Sequence, residues 1–245
     1  MAEFKLPTEV VELPSKGLLY SKESPLSEGK VEIKYMTAKE EDILTNQSYI
    51  EKGTVIDKLL ESLVVTKINF NDLLIGDKNA LMVSARVLGY GKNYKFEYNG
   101  EEYEVDLSQI GFKEFDESNI TKGNNEFQFT LPSSENLVTF KLLTQGDEKK
   151  ISTELEGLKR LNKDFSPEIS TRLKYLITSI NGDRDKKAIR EFVDNYLLAQ
   201  DARALREHIR KVQPDIDLTF FPSGSEKKRS IPIGVNFFYP DIAAG

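Results

Sequence analysis

The residues that could carry chemistry are few, and their neighbours argue against most uses. His208 is the single histidine, so a general base or a nucleophile-activating triad would have to use a side chain between Glu207 and Arg210 on a charged helix. It reads as a solvated helix-face histidine. Cysteine is absent, which removes disulfides, thiolate zinc sites, iron–sulfur clusters and thiol nucleophiles together. Asp183-Arg184-Asp185 opens like a calcium loop, but the position needing glycine for the sharp turn is Ala188, and Ile189 and Phe192 follow at helical spacing. Those carboxylates read as helix caps. Gly89-Tyr90-Gly91 follows a predicted helix instead of a strand and lacks a third glycine and a phosphate-binding lysine, so it reads as a helix stop. Asp and Glu number 40, yet no pair stands out as a hydrolase dyad. No catalytic residue, cofactor or metal ligand is assigned, and the chain reads as a non-enzyme.

Charge narrows the partners. Lys and Arg number 34 against those 40 acids, a net charge of -6, which is the wrong sign for a protein that neutralises many phosphates. Lys227-Lys228-Arg229 reads as a solvated loop. The sequons at Asn46 and Asn119 would matter only in a secretory pathway, and residues 1–7 have no apolar core of a signal peptide. Nor does any stretch approach the roughly 18 apolar residues of a membrane span. Neither a membrane nor a small-molecule substrate is expected.

The expected fold class is α+β: a helical core with β-hairpin insertions and an extended N-terminal arm. Residues 1–30 carry Pro7, Pro14, Pro25, Gly17 and Gly29, which deny regular structure and predict the arm. Residues 31–91 supply a strand at 31–35, a capping box from Thr37 to Glu40 and a helix carrying Ile43, Leu44 and Ile50 that Gly53 ends. A second helix follows from Val55 to Val64, and a third over 77–88 is apolar on most faces and so central.

Residues 92–143 form a β-rich insertion. Its best-marked part is two alternating runs around Asn99-Gly100, the signature of a type I′ hairpin, and a looser hairpin joins 127–131 to 137–142. Residues 144–213 return to helix: a charged segment to Leu161, then Ser166-Pro167 as cap and first position of a helix bearing Leu173, Leu176, Ile177 and Ile180. Asp183 or Asp185 caps the next helix and Asp201 the last. Residues 214–245 give a C-terminal hairpin, from 218–221 and 231–235, and an aromatic tail.

Apolar residues at both ends exceed what a solvated terminus needs. They are Val10, Val11, Leu13, Leu18, Leu19 and Tyr20 in the arm and Phe237, Phe238 and Tyr239 in the tail. Such clusters either mark an interface or fold back onto the chain's own core. Leu13, Leu18, Tyr20, Phe237, Phe238 and Tyr239 are the partner-contact candidates.

Six segments in order, Glu12-Leu-Pro-Ser-Lys-Gly-Leu-Leu-Tyr20, Met36-Thr-Ala-Lys-Glu-Glu-Asp-Ile-Leu44, Arg86-Val-Leu-Gly-Tyr-Gly91, Ile180-Asn-Gly182, Leu205-Arg206 and Phe237-Phe-Tyr-Pro240, resemble the baseplate hub protein family of T-even-like contractile-tailed bacteriophages. The resemblance covers nearly the whole chain. It implies a structural or assembly component of the central hub, contacting other hub and tail proteins in the virion after assembly in the host cytoplasm. A transient hub-assembly chaperone is the alternative, and a nucleic-acid-binding adaptor is the rival from another class.

Many members of that family carry cysteine pairs that form zinc ribbons near positions equivalent to 98–102 and 221–226. Here those segments read Tyr98-Asn-Gly-Glu-Glu102 and Phe221-Pro-Ser-Gly-Ser-Glu226. The resemblance therefore implies degenerate, cysteine-free hairpins in which Tyr94, Phe96, Tyr98, Tyr103, Phe220 and Phe221 replace the folding energy of a metal.

Overall fold

The alternating run at 30–34 and the segment 8–12 make a two-stranded antiparallel ribbon in the computed structural model, which describes residues 6–118, 120–162, 166–233 and 237–238. Strand β1 (Thr8–Glu12) pairs with β2 (Lys30–Lys34), Val10 lying opposite Glu32. This corrects the expectation of an arm without secondary structure. The prolines and glycines keep a long α-helix out, but they build the connection between two strands, including a single 3-10 turn at Pro25–Glu28 that Gly29 ends. Gly17 has φ 74°, and a Cβ there would lie 2.3 Å from the Ser27 carbonyl oxygen, so only glycine fits.

Helix α1 (Ala38–Leu44) starts at the expected capping box, where Thr37 N and Oγ1 both donate to Glu40 Oε2, at 3.0 and 2.6 Å. The single helix expected to run on to Gly53 is broken. Asn46 accepts a hydrogen bond from Tyr49 N and so caps a separate α2 (Gln47–Glu51), the local side-chain competition that disfavours Asn inside helices. Helix α3 (Val55–Leu63) buries Leu59, Leu60 and Leu63, and α4 (Ile75–Tyr90) buries Gly76, Asp77, Ala80, Leu81, Val83, Ala85 and Arg86.

The first hairpin is where the sequence puts it. Strands β3 (Asn93–Tyr98) and β4 (Glu101–Asp106) join through Asn99 and Gly100 at φ 53° and 81°, the paired positive angles of a type I′ turn. Strands β5 (Phe127–Thr130) and β6 (Leu137–Phe140) form the second hairpin, followed by α5 (Gln145–Leu161) and α6 (Glu168–Leu176), which Pro167 precedes as its N-cap. The chain then departs from expectation. Residues Ile177 to Ile180 leave the helix and form β7 (Ile177–Ile180), an edge strand of the sheet β5-β6-β7. Three of those four residues are β-branched, and Ser179 Oγ donates across to Thr139 Oγ1 at 2.8 Å.

Asp185 caps α7 (Lys186–Asn195) by accepting from Ala188 N. Asp201 is not a cap. It lies in the first turn of α8 (Ala199–Val212), fully buried, and accepts from Ser133 N at 2.7 Å and Ser134 N at 3.1 Å, which fixes the β5–β6 loop. Strands β8 (Thr219–Phe220) and β9 (Arg229–Ser230) close the C-terminal hairpin, its second strand earlier than the expected 231–235, of which residues 234 and 235 lie outside the described residues. So does Asn119 of the second sequon. The architecture is α+β, helices packed around small antiparallel sheets.

One buried carboxylate ties α1 to its neighbours. Glu40 is completely covered and accepts from Lys34 Nζ at 2.8 Å and Ser62 Oγ at 2.7 Å, besides Thr37. Burial opposes its ionisation, but these donors outweigh that and hold its pKa down to about 2. A group depressed in the folded state contributes stability above its unfolded value, near 4.5, and loses that contribution as pH falls through the folded one. Denaturant midpoints should therefore drop more steeply between pH 5 and pH 3 for the native chain than for Glu40→Gln, which is less stable at neutral pH. Parallel curves would refute it.

Candidate protein-contact site

The arm is latched to the start of α4. Asp77, the only acid of α4 and in its first turn, is fully buried and accepts from Ser15 N at 2.9 Å, Ser15 Oγ at 2.6 Å and Tyr20 Oη at 2.5 Å. Tyr20 Oη in turn accepts from Leu74 N at 2.9 Å. Burial raises the Asp77 carboxyl above its ordinary range, against the bonds from Ser15 and Tyr20 that lower it. Tyr20 itself is raised well above 10, by burial first and by the Asp77 charge second. Sequence reasoning missed Ser15 and Asp77, although the only acid on a helix that is apolar on most faces was a visible signal.

Four of the partner-contact candidates are covered by their own chain. Leu13 is 1% exposed and Tyr20 7%, while Phe237 and Phe238 are 0% and 3%. Phe237 meets Tyr94 edge-on at 5.1 Å and Phe238 at 5.0 Å between ring centroids. Leu18 is half-buried, and its carbonyl accepts from Gly123 N at 2.8 Å. Tyr239 lies outside the described residues. Of the two outcomes expected for the apolar ends, these four side chains take the second and pack onto this chain's own core.

What is left uncovered lies beside them. An open groove of about 340 Å³ runs between β1 and one flank of α4. Val10, Val83, Val87, Leu107, Ile110 and Phe112 contribute apolar lining, and Glu9 and Glu12 are the only charged residues along it. Val10 is 57% and Phe112 43% exposed, high for a β-branched strand residue and an aromatic. The groove offers hydrophobic area and strand edge but no convergent polar groups for catalysis.

Residues 8–221 match the family model described as T4 bacteriophage base plate protein. The chain belongs to that family. Membership makes it a structural protein of the virion's tail baseplate, in contact with other baseplate proteins. No curated relative and no solved structure gives a significant match.

Three further features of this baseplate protein bear on chemistry. His208 is not solvated as expected: it is half-buried, stacked on Phe129 at 4.6 Å and edge-on to Phe140 at 5.7 Å. Burial first and the Lys211 charge second lower its pKa, against the Asp116 charge. Lys228 of the basic loop pairs with Asp217 at 2.7 Å. Among the described residues no three His, Cys, Asp or Glu side chains converge as a metal site, and no helix is long and apolar enough to cross a membrane.

The two hairpins at 98–102 and 221–226 meet through aromatic rings. Phe220 sits edge-on to Phe96 at 4.8 Å, Tyr103 at 4.9 Å and Tyr98 at 5.4 Å, and Ser223 N donates to Tyr103 Oη at 3.1 Å. Arg86, another charge on α4 that sequence reasoning passed over as chemistry, closes the helix onto β3. Its guanidinium donates to the carbonyls of Gly91 at 2.5 Å and Asn93 at 3.0 Å.

Proposed function

We propose that this baseplate protein is a structural or assembly component of the central hub, working by contact with neighbouring subunits and carrying no catalytic step. The observation that supports this most is the family match, which extends over residues 8–221 and so takes in the arm, the groove and the helical core together. The hub assignment rests on the ordered segments that resemble hub proteins. Two of them have defined structural work here: 12–20 forms the latch onto Asp77, and 86–91 ends α4 through Arg86. In the same reading the paired hairpins are ribbons in which rings around Phe220 stand in for a metal.

Quantitative mass spectrometry of purified virions and isolated baseplates tests it. A fixed stoichiometry with the hub proteins is the expected result. Absence from virions, with presence in hub intermediates from infected cells, would make the protein a transient assembly factor instead. Absence from both would overturn the hub reading.

A further inference from the structure

The β1–β2 ribbon leaves one backbone edge unused. Tyr35 N donates to Pro7 O and Leu13 N to Gly29 O, and these two bonds bracket the ladder. Antiparallel pairs alternate between bonded and non-bonded positions, so the residues facing β2 are Glu9 and Val11. The N–H and C=O groups of Thr8, Val10 and Glu12 point the other way. No strand among the described residues pairs with that side of β1, and Thr8, Val10 and Glu12 are all exposed. An open edge of this kind is a template for another strand, and natural proteins cover or blunt it.

Here the edge adjoins the apolar flank of α4 and the exposed rings and methyls of Val10 and Phe112. The charges of β1 itself are one-signed, with Lys30 of β2 across from Glu12 but outside ion-pair distance. Glu9 and Glu12 are exposed, and neither has an ion pair among the described residues. Because side chains alternate across a strand, Glu9 and Glu12 lie on opposite faces, and Val10 shares its face with Glu12.

We propose that the outer edge of β1 and the adjoining groove take an extended segment of another baseplate protein as an added third strand. Its recognisable chemistry is two basic residues three positions apart, bracketing an apolar one. Lys or Arg stands opposite Glu9 and Glu12, the apolar side chain opposite Val10, and the next apolar residues enter the groove beside Val83 and Val87. Main-chain bonds supply the register and the alternate side chains the specificity. The proposal deepens the baseplate reading and rests on it.

The test uses the full-length chain expressed during infection, with a photo-crosslinking amino acid at position 10 and two variants. Mass spectrometry should place the crosslink on a baseplate protein other than this one, within an extended basic–apolar–basic segment. A crosslink to a second copy of this chain, to a helix, or to no baseplate protein overturns the proposal. Val10→Pro removes an outward N–H without touching the ladder to β2. It should keep the melting temperature of the purified protein and lower incorporation into hub intermediates at least tenfold. Should proline disturb the ribbon, the surface double variant Glu9→Lys/Glu12→Lys carries the same expectation. Normal incorporation of a folded variant sinks the third strand and leaves the hub reading standing. Absence of the unmodified chain from virions and hub intermediates alike sinks both.

Discussion

Asp77→Ala should lower the melting temperature by roughly 10 °C, from a loss of about 3–5 kcal/mol at the few degrees per kcal/mol expected for a chain of this size. The substitution strands three donors at once: Ser15 N, Ser15 Oγ and Tyr20 Oη. A buried donor left without an acceptor costs about 1–3 kcal/mol, and the relief of no longer burying a carboxylate offsets only part of the sum. Asp77→Asn keeps the shape and one acceptor oxygen, so its cost should be about half.

The Asp77 pair of variants also has a pH signature. Since burial raises the Asp77 carboxyl, its folded value lies above its unfolded one. The stability it contributes is fully present below the unfolded value and is lost as pH rises through the folded value. Asparagine, which imitates the neutral acid, should therefore lose least against the native chain at neutral pH and most in acid. Urea denaturation at pH 7 and pH 4 measures both effects. An Asp77→Ala protein within about 1 kcal/mol of the native one would show that the latch does not hold the arm.

Gly76→Ala should do more damage, preventing soluble expression or costing more than about 4 kcal/mol. A Cβ at Gly76 would lie 1.9 Å from the Pro214 carbonyl oxygen and 3.0 Å from Asp215 Cα. Both contacts are backbone, so relief requires the start of α4 to separate from the segment after α8, next to the latch. Two other helical glycines calibrate this. At Gly89 the added carbon meets only the flexible end of Met36, at 1.7 Å from Cε, and repacking should limit the loss to about 1–3 kcal/mol. At Gly157 nothing lies within 4 Å, so alanine should stabilise α5 by about 0.5–1 kcal/mol through helix propensity alone. Thermal melts of the three variants should fall in that order. A Gly76→Ala protein as stable as Gly89→Ala would show that the α4 contact can yield.

The legible parts of this fold are those whose causes are local. Asn99-Gly100 carries its turn type in two residues, and Thr37 with Glu40 carries a helix start in four. Residues 177–180 were not legible, because Leu173, Leu176, Ile177 and Ile180 suit a helical face as well as an exit into a strand. What decides is β6, waiting to pair. Asp77 and Asp201 hide their work for the same reason, their hydrogen-bond partners being 62 and 67–68 residues away. Prolines and glycines in residues 1–30 gave no hint of β1, whose pairing depends on β2, nor of the 3-10 turn that Pro25 starts. The apolar ends were correctly seen to need cover, and only the tertiary structure shows which side chains the chain covers itself. The groove was invisible for the same cause, since its walls come from β1, α4 and the 107–112 segment.

The closure of the first hairpin has a consequence in time. Strands β3 and β4 can form as soon as they leave the ribosome, yet Tyr94 Oη donates to Pro232 O, a partner 138 residues later in synthesis. Phe220 and Phe237, which cover the rest of the ring cluster, also come from the end of the chain. At roughly 5–20 residues per second, the aromatic face of a finished hairpin stays wet for on the order of ten seconds during translation. Every nascent chain must pass through a stage with a solvent-facing aromatic sheet, and a chain cut short before Phe220 lacks all three of these covering contacts.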